Sequence, residues 1–151
     1  MSPRAAGWSR VLMTVGVVVA IDQITKAWAV AEIMRGEERN VFFLLDLTHV
    51  RNEGVAFGAF AGGGLILVLL IGGALAGLLA YFAANAAKPL LWLPTGMLLG
   101  GALGNLADRA REGAVIDFID PAAWPAFNLA DVMIVAGVLL LFYVAEGRQE
   151  E

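Results

Sequence analysis

GVAFGAFAGGGLILVLLIGGALAGLLAYFAANAA, residues 54–87, runs for 34 positions without a charged side chain. A helix of about 20 mostly apolar residues crosses the hydrocarbon of a bilayer, so this stretch holds one span together with a loop at its start. Lys88 and Pro89 break the pattern, and a second apolar run then ends at Asp108 and Arg109. Upstream, a run from Val11 carries Asp22, Gln23 and Lys26 in its second half; downstream, another carries Asp131 near its start. These runs predict an all-α membrane protein of one domain, 1–151, with four transmembrane helices at about 11–34, 60–84, 90–108 and 128–145. Composition agrees: of 151 residues 60% are hydrophobic and 16% charged, and the mean hydropathy is +0.76.

Several function classes fall away at once. The net charge is −4, and no basic stripe is available for nucleic acid. The chain has no cysteine, which removes disulfides, thiolate zinc sites and cysteine nucleophiles together. The amino-terminal stretch imitates an export signal, with Arg4 and Arg10 before the apolar run and Ala29-Val30-Ala31 after it. Asp22 and Lys26 sit badly in such a signal, so the first helix is expected to be retained. An even number of spans puts both termini on one side. Arg4, Arg10, Lys88 and Arg148 on that side face Lys26, Arg35, Arg39, Arg51, Arg109 and Arg111 on the other; this split does not fix the orientation. Trp8, Tyr81, Trp92 and Tyr143 would belt the terminal side, Trp28 and Trp124 the opposite one. Residues 40–52 alternate loosely and read either as short surface strands or as an interfacial loop. Gly96, Gly100 and Gly104 recur every fourth residue, a spacing that lets a neighbouring helix come close.

Ionisable groups in membrane spans are costly and therefore candidate functional groups. In the four-span arrangement Asp22, Lys26, Asp108, Arg109, Asp117 and Asp131 all gather at one membrane surface, joined by Asn52, Asn105 and Asn128. The chemistry can be narrowed by elimination. The only serines, Ser2 and Ser9, lie in the amino-terminal tail, and His49 is the only histidine. Neither a histidine zinc motif nor a Ser-His-Asp relay can be assembled, and a lone histidine on a strand reads as structural. Carboxylate chemistry remains: two close aspartates cannot both ionise, so one can activate water while the other supplies a proton. Asp117 and Asp131 suit this best, since neither has a basic neighbour in sequence, whereas Asp108 beside Arg109 reads as an ion pair. Pro121 and Pro125 between them require a turn. Each aspartate alone could equally be a helix cap.

Five blocks stand in order: DQITK at 22–26, NEGVAF at 52–57, GGALGNLADR at 100–109, VIDF at 115–118 and FNLAD at 127–131. Together they closely resemble lipoprotein signal peptidase, also called signal peptidase II, an aspartic peptidase family of the bacterial inner membrane. The resemblance implies that Asp117 and Asp131 form the catalytic dyad. It implies that Asp22, Lys26, Asn52, Gly54, Asn105, Asp108, Arg109 and Asn128 support the site or bind substrate, with a backbone turn as the plain reading of Gly54 and pairing with Asp22 that of Lys26. The implied substrate is a prolipoprotein whose cysteine carries a diacylglyceryl group, cut just before that cysteine, with no cofactor and no metal. It further implies a small β-rich cradle on the outer face at about 35–57, an outer loop at about 110–127, both termini cytoplasmic, and a monomer surrounded by membrane lipid. Only 13 residues separate Asp117 from Asp131, a compact connection for the family. Two other classes compete: a small four-helix transporter, which would need a polar path to both faces, and a carboxylate-bound Mg²⁺ phosphotransferase.

Overall fold

The computed structural model describes residues 1–54 and 64–146, the side chains of 64–68 excepted. The start of the expected second span, the end of the expected cradle with Phe57, and the acidic tail beyond Glu146 lie outside the described residues.

Helix α1, Pro3–Glu32, begins where the Ser2 hydroxyl accepts the Ala5 N–H at 3.2 Å and Pro3 occupies a first-turn position that needs no N–H donor. It starts eight residues before the expected span, because Arg4, Ser9 and Arg10 lie outside an apolar window but not outside a hydrogen-bonded helix. Its buried stripe is Gly7, Val11, Val18, Asp22, Lys26 and Ala29, while Leu12, Met13, Val17, Ile21, Ile24 and Trp28 face outward. This inverts the soluble pattern: charges inside, large apolar groups outside. Helix α4, Leu129–Glu146, likewise turns large apolar groups outward and buries only Ala130 and Gly137. Only 22% of the apolar window of α1 and 11% of that of α4 is buried, so neither is the core helix of a soluble domain. Both are long and apolar enough to cross a membrane.

Helix α3, Trp92–Glu112, packs between them, and its glycines set the spacing. A Cβ added at Gly100 would stand 2.7 Å from Val18 Cβ, and one at Gly104 would collide with the Asp22 carboxylate, both on α1. At Gly101 it would stand 2.6 Å from the Ala130 carbonyl oxygen of α4. The glycines at every fourth position are thus a seam against α1. Gly113, with φ +72, ends α3 in the left-handed conformation. Helix α2, Gly64–Asn85, meets the bundle at the end far from the sheet, where buried Phe82 and Ala86 join Val11 and Leu91. Trp8 sets its edge on Phe82 at 4.9 Å between ring centroids.

Three strands form one antiparallel sheet in chain order: β1, Glu38–Phe42; β2, Leu45–Asn52; β3, Val115–Pro121. The alternation at 40–52 therefore resolves as a strand hairpin. The expected outer loop at 110–127 is corrected: its first residues finish α3 and its middle is β3. Val115, Ile116 and Phe118 are all buried, so β3 is covered on both faces and shows no alternation by which to recognise it. Beyond Pro121 the chain turns back and Phe127 exchanges hydrogen bonds of 2.9 Å with Ile119. That return delivers Asn128 and the first turn of α4 to the side of Asp117.

Candidate active site

Asp117 lies mid-strand in β3, 2% exposed. Its Oδ1 accepts from Asn128 Nδ2 at 2.8 Å and its Oδ2 from Asn52 Nδ2 at 2.9 Å. Asn52 is aimed by its own backbone: its Oδ1 accepts the Gly54 N–H at 3.0 Å, across a turn in which Gly54 has φ +85.

Asp131, in the first turn of α4, is half-buried. Its Oδ1 accepts from Asn105 Nδ2 at 2.8 Å, and its Oδ2 from the Asn128 N–H at 3.2 Å. Asn128 Oδ1 in turn accepts the Asp131 N–H at 3.0 Å. This reciprocal pair is a capping box closing the start of α4. The cap reading of Asp131 therefore holds, and the same bonds tie its carboxylate to Asn128, which also holds Asp117. Each dyad oxygen has a neutral N–H donor, and no cation touches either carboxylate among the described residues.

Burial, chiefly, pushes the Asp117 carboxyl up from 3.8 to about 6; the Asp131 charge adds to this, against the pull of the Asn52 and Asn128 donors. A proton is therefore held at Asp117 within two units of neutrality, beside a second carboxylate that solvent can reach.

Behind the pair lies a buried ionic knot. Lys26 Nζ is 2.9 Å from Asp22 Oδ2, 2.8 Å from Asp108 Oδ2 and 3.0 Å from Asn105 Oδ1. Its three protons have three acceptors, so this buried cation is fully satisfied. Asp22 Oδ1 accepts the Ala130 N–H at 3.1 Å and Asp108 Oδ2 the Ile116 N–H at 3.2 Å. The knot thus ties α1, α3, the start of α4 and β3 together. Asn105 links knot and dyad, its carbonyl on Lys26 and its amide on Asp131.

The sequence matches a known peptidase over nearly this whole arrangement: residues 14–145 fit the description Signal peptidase (SPase) II. The chain belongs to the signal peptidase II family. The lipoprotein signal peptidase of Syntrophomonas wolfei is 43% identical over 89% of this chain and 92% of its own length. That of Pelotomaculum thermopropionicum is 42% identical over 84% and 85%. A solved bacterial membrane enzyme superposes with a TM-score of 0.81 at 29% identity, over 92% of this chain and 94% of its own.

The fold brings together Asp22, Lys26, Asn52, Gly54, Asn105, Asp108, Asn128, Asp117 and Asp131. Arg109 is the exception. It is exposed on the last turn of α3, and the ion pair expected between it and Asp108 does not form; Asp108 pairs with Lys26 and, at 3.4 Å, with Arg111. Successive residues on a helix point about 100° apart and cannot face each other. One participant was overlooked. Gln23 Nε2 bridges Asp22 Oδ2 at 3.0 Å and Asp108 Oδ1 at 3.0 Å, and its carbonyl receives Arg111. Its place inside DQITK was the available signal. His49, read as structural, lies against the Ile33 carbonyl through Nδ1 at 3.1 Å.

Proposed function

We propose that the chain removes the signal peptide from diacylglyceryl-modified prolipoproteins, cutting before the lipidated cysteine, with Asp117 and Asp131 as the catalytic residues. The observation that carries this reading is the pair itself: two neighbouring carboxylates held entirely by neutral donors, one buried and proton-retaining, the other open to solvent. Asp131 takes a proton from water as the oxygen attacks the scissile carbonyl carbon, and Asp117 gives its proton to the carbonyl oxygen. Collapse of the tetrahedral adduct breaks the C–N bond. The leaving amine takes the proton from Asp131, and the hydroxyl proton returns to Asp117, so the pair ends as it began.

Around it, Asn52, Asn105 and Asn128 aim the carboxylates, Gly54 shapes the turn that aims Asn52, and Asp22, Lys26 and Asp108 fix the helices. Arg109, exposed beside this end of the bundle, is available to contact substrate. All four helices cross the bacterial cytoplasmic membrane in this reading. Both termini are cytoplasmic, the sheet lies at the outer surface, and the protein acts as a monomer in membrane lipid. The family relatives and the outward-facing apolar surfaces of α1 and α4 support this placement. No divalent ion is required, since the Lys26 ammonium already stands between Asp22 and Asp108.

The test is a gel-shift assay with purified protein in detergent and a diacylglyceryl-modified prolipoprotein, run with EDTA. Wild type is expected to cleave, and folded Asp117→Asn and Asp131→Asn to leave the substrate intact. Cleavage by either variant would sink the dyad assignment, and loss of wild-type cleavage in EDTA would revive a metal-dependent reading.

A further inference from the structure

A polar cavity lies apart from Asp117 and Asp131. It is a cleft of about 360 Å³ on the far side of the ionic knot, between the end of α1, strand β2 and the end of α3. Lys26 and Asp108 form the wall it shares with the knot, whereas neither Asp117 nor Asp131 lines it. Its rim carries Arg35, Arg51 and Arg111, so that, with Lys26 counted together with both its carboxylate partners, four cations stand against Asp22, Asp108 and Glu112. Those carboxylates are already engaged: Asp22 and Asp108 by Lys26 at 2.9 and 2.8 Å, Glu112 by Arg51 at 3.2 Å. Arg35 is exposed and makes no ion pair among the described residues. The cleft therefore has an excess of positive charge, with guanidinium forks suited to phosphate oxygens.

Gln23 and His49 add polar atoms to the wall, and Ala27, Val30 and Ile116 give it an apolar part. Ala27 and Val30 are exposed on α1, as is Trp28 outside the cleft lining, a residue type that favours the headgroup level of a membrane. A ligand here meets guanidinium groups at one end and a lipid-facing helix at the other. We propose that this cleft binds the phosphate of an anionic phospholipid, whose acyl chains run down the outward face of α1. The proposal rests on the reading of α1 as a membrane span with this end at the surface. A headgroup held between α1, β2 and α3 would clamp the sheet to the helices from the side opposite the dyad.

Binding is measured by thermal shift and native mass spectrometry on the full chain in detergent. Three probes separate the parts of the ligand: phosphatidylglycerol, diacylglycerol with the same chains, and inorganic phosphate. Phosphatidylglycerol is expected to bind at least about tenfold more tightly than diacylglycerol, since two or more arginines each contribute about fivefold to an anionic headgroup. Arg35→Gln should weaken phosphatidylglycerol about fivefold and leave diacylglycerol binding and prolipoprotein cleavage unchanged. Equal binding of the two lipids, or wild-type phosphatidylglycerol affinity in Arg35→Gln, overturns the proposal. Inorganic phosphate binding as tightly as the lipid overturns the lipid as its source. Cleavage is scored separately, so a protein that binds the lipid and leaves prolipoprotein intact refutes the peptidase reading and not this one.

Discussion

Replacing Lys26 by Met keeps an unbranched side chain of the same length up to Cε, with a thioether sulfur for one methylene, and removes the ammonium. In the folded protein that ammonium has three acceptors at 2.8–3.0 Å: Asp108, Asp22 and Asn105. Asp22 is 0% and Asp108 2% exposed, so water does not replace the lost partner. Two buried carboxylates are then left close together with backbone and Gln23 donors and, for Asp108, the exposed Arg111 guanidinium at 3.4 Å. Removing one member of a buried ion pair costs about 3–5 kcal/mol. For a chain of this length that is a fall in Tm of about 6–20 °C. Thermal unfolding in detergent reads the effect, and the gel-shift assay should show lost cleavage, because Asn105 no longer has Lys26 on its carbonyl. Asp108→Asn added to Lys26→Met should recover part of the Tm, a coupling expected of residues in direct contact. A Lys26→Met protein unfolding within about 2 °C of wild type, the shift of less than about 1 kcal/mol, would refute the view that the knot holds the bundle together.

The glycine seam gives a contrast of opposite sign. Gly104→Ala drives a Cβ into the Asp22 carboxylate and should cost about 1–3 kcal/mol, whereas Gly77→Ala on α2, with nothing among the described residues within 4 Å of the new methyl, should gain up to about 1 kcal/mol from helix propensity; shifts of the unfolding midpoint of equal sign would contradict this. Asp117, raised from 3.8 to about 6 mainly by burial, contributes stability that is fully present below about pH 4 and is lost as pH rises through about 6. The Tm of Asp117→Asn should therefore be flatter than that of wild type across this window, and parallel profiles would count against a raised Asp117. In kcat/KM the same proton sets an alkaline limb, activity falling as pH rises through about 6 in the free enzyme; a limb absent up to pH 8 would show that Asp117 does not supply the proton.

What the sequence made legible was what a membrane makes expensive. Asp22, Lys26, Asn105, Asp108 and Asp131 stood out because polar side chains inside apolar runs demand partners, and the structure gives every one of them a partner. Two features escaped for physical reasons. Strand β3 is buried on both faces, so its run of Val115, Ile116, Phe118 and Ile119 carries no period of two. Adjacency in the chain points Asp108 to Arg109, whereas α3 turns Arg109 outward and Asp108 toward Lys26 of α1. Helix ends differed likewise: α1 and α3 extend beyond the apolar windows, since hydrogen bonding ends a helix and hydropathy ends only its contact with lipid.

The choice of amides around the dyad follows from what a cation would do there. A lysine or arginine in direct contact with both carboxylates would favour their doubly ionised state, and the proton that the proposed cleavage needs would be gone. Asn52, Asn105 and Asn128 orient four oxygens without adding charge. The one buried cation among the described residues is held back by a full side chain, through Asn105, and is neutralised by Asp22 and Asp108. Its remaining influence is transmitted through hydrogen bonds: Lys26 polarises the Asn105 carbonyl, which strengthens the amide donor holding Asp131. The same lysine can therefore secure three helices and a strand while leaving the proton of the pair in place. A positive charge moved one residue closer, as in Asn105→Lys, would satisfy the carboxylates and abolish the chemistry.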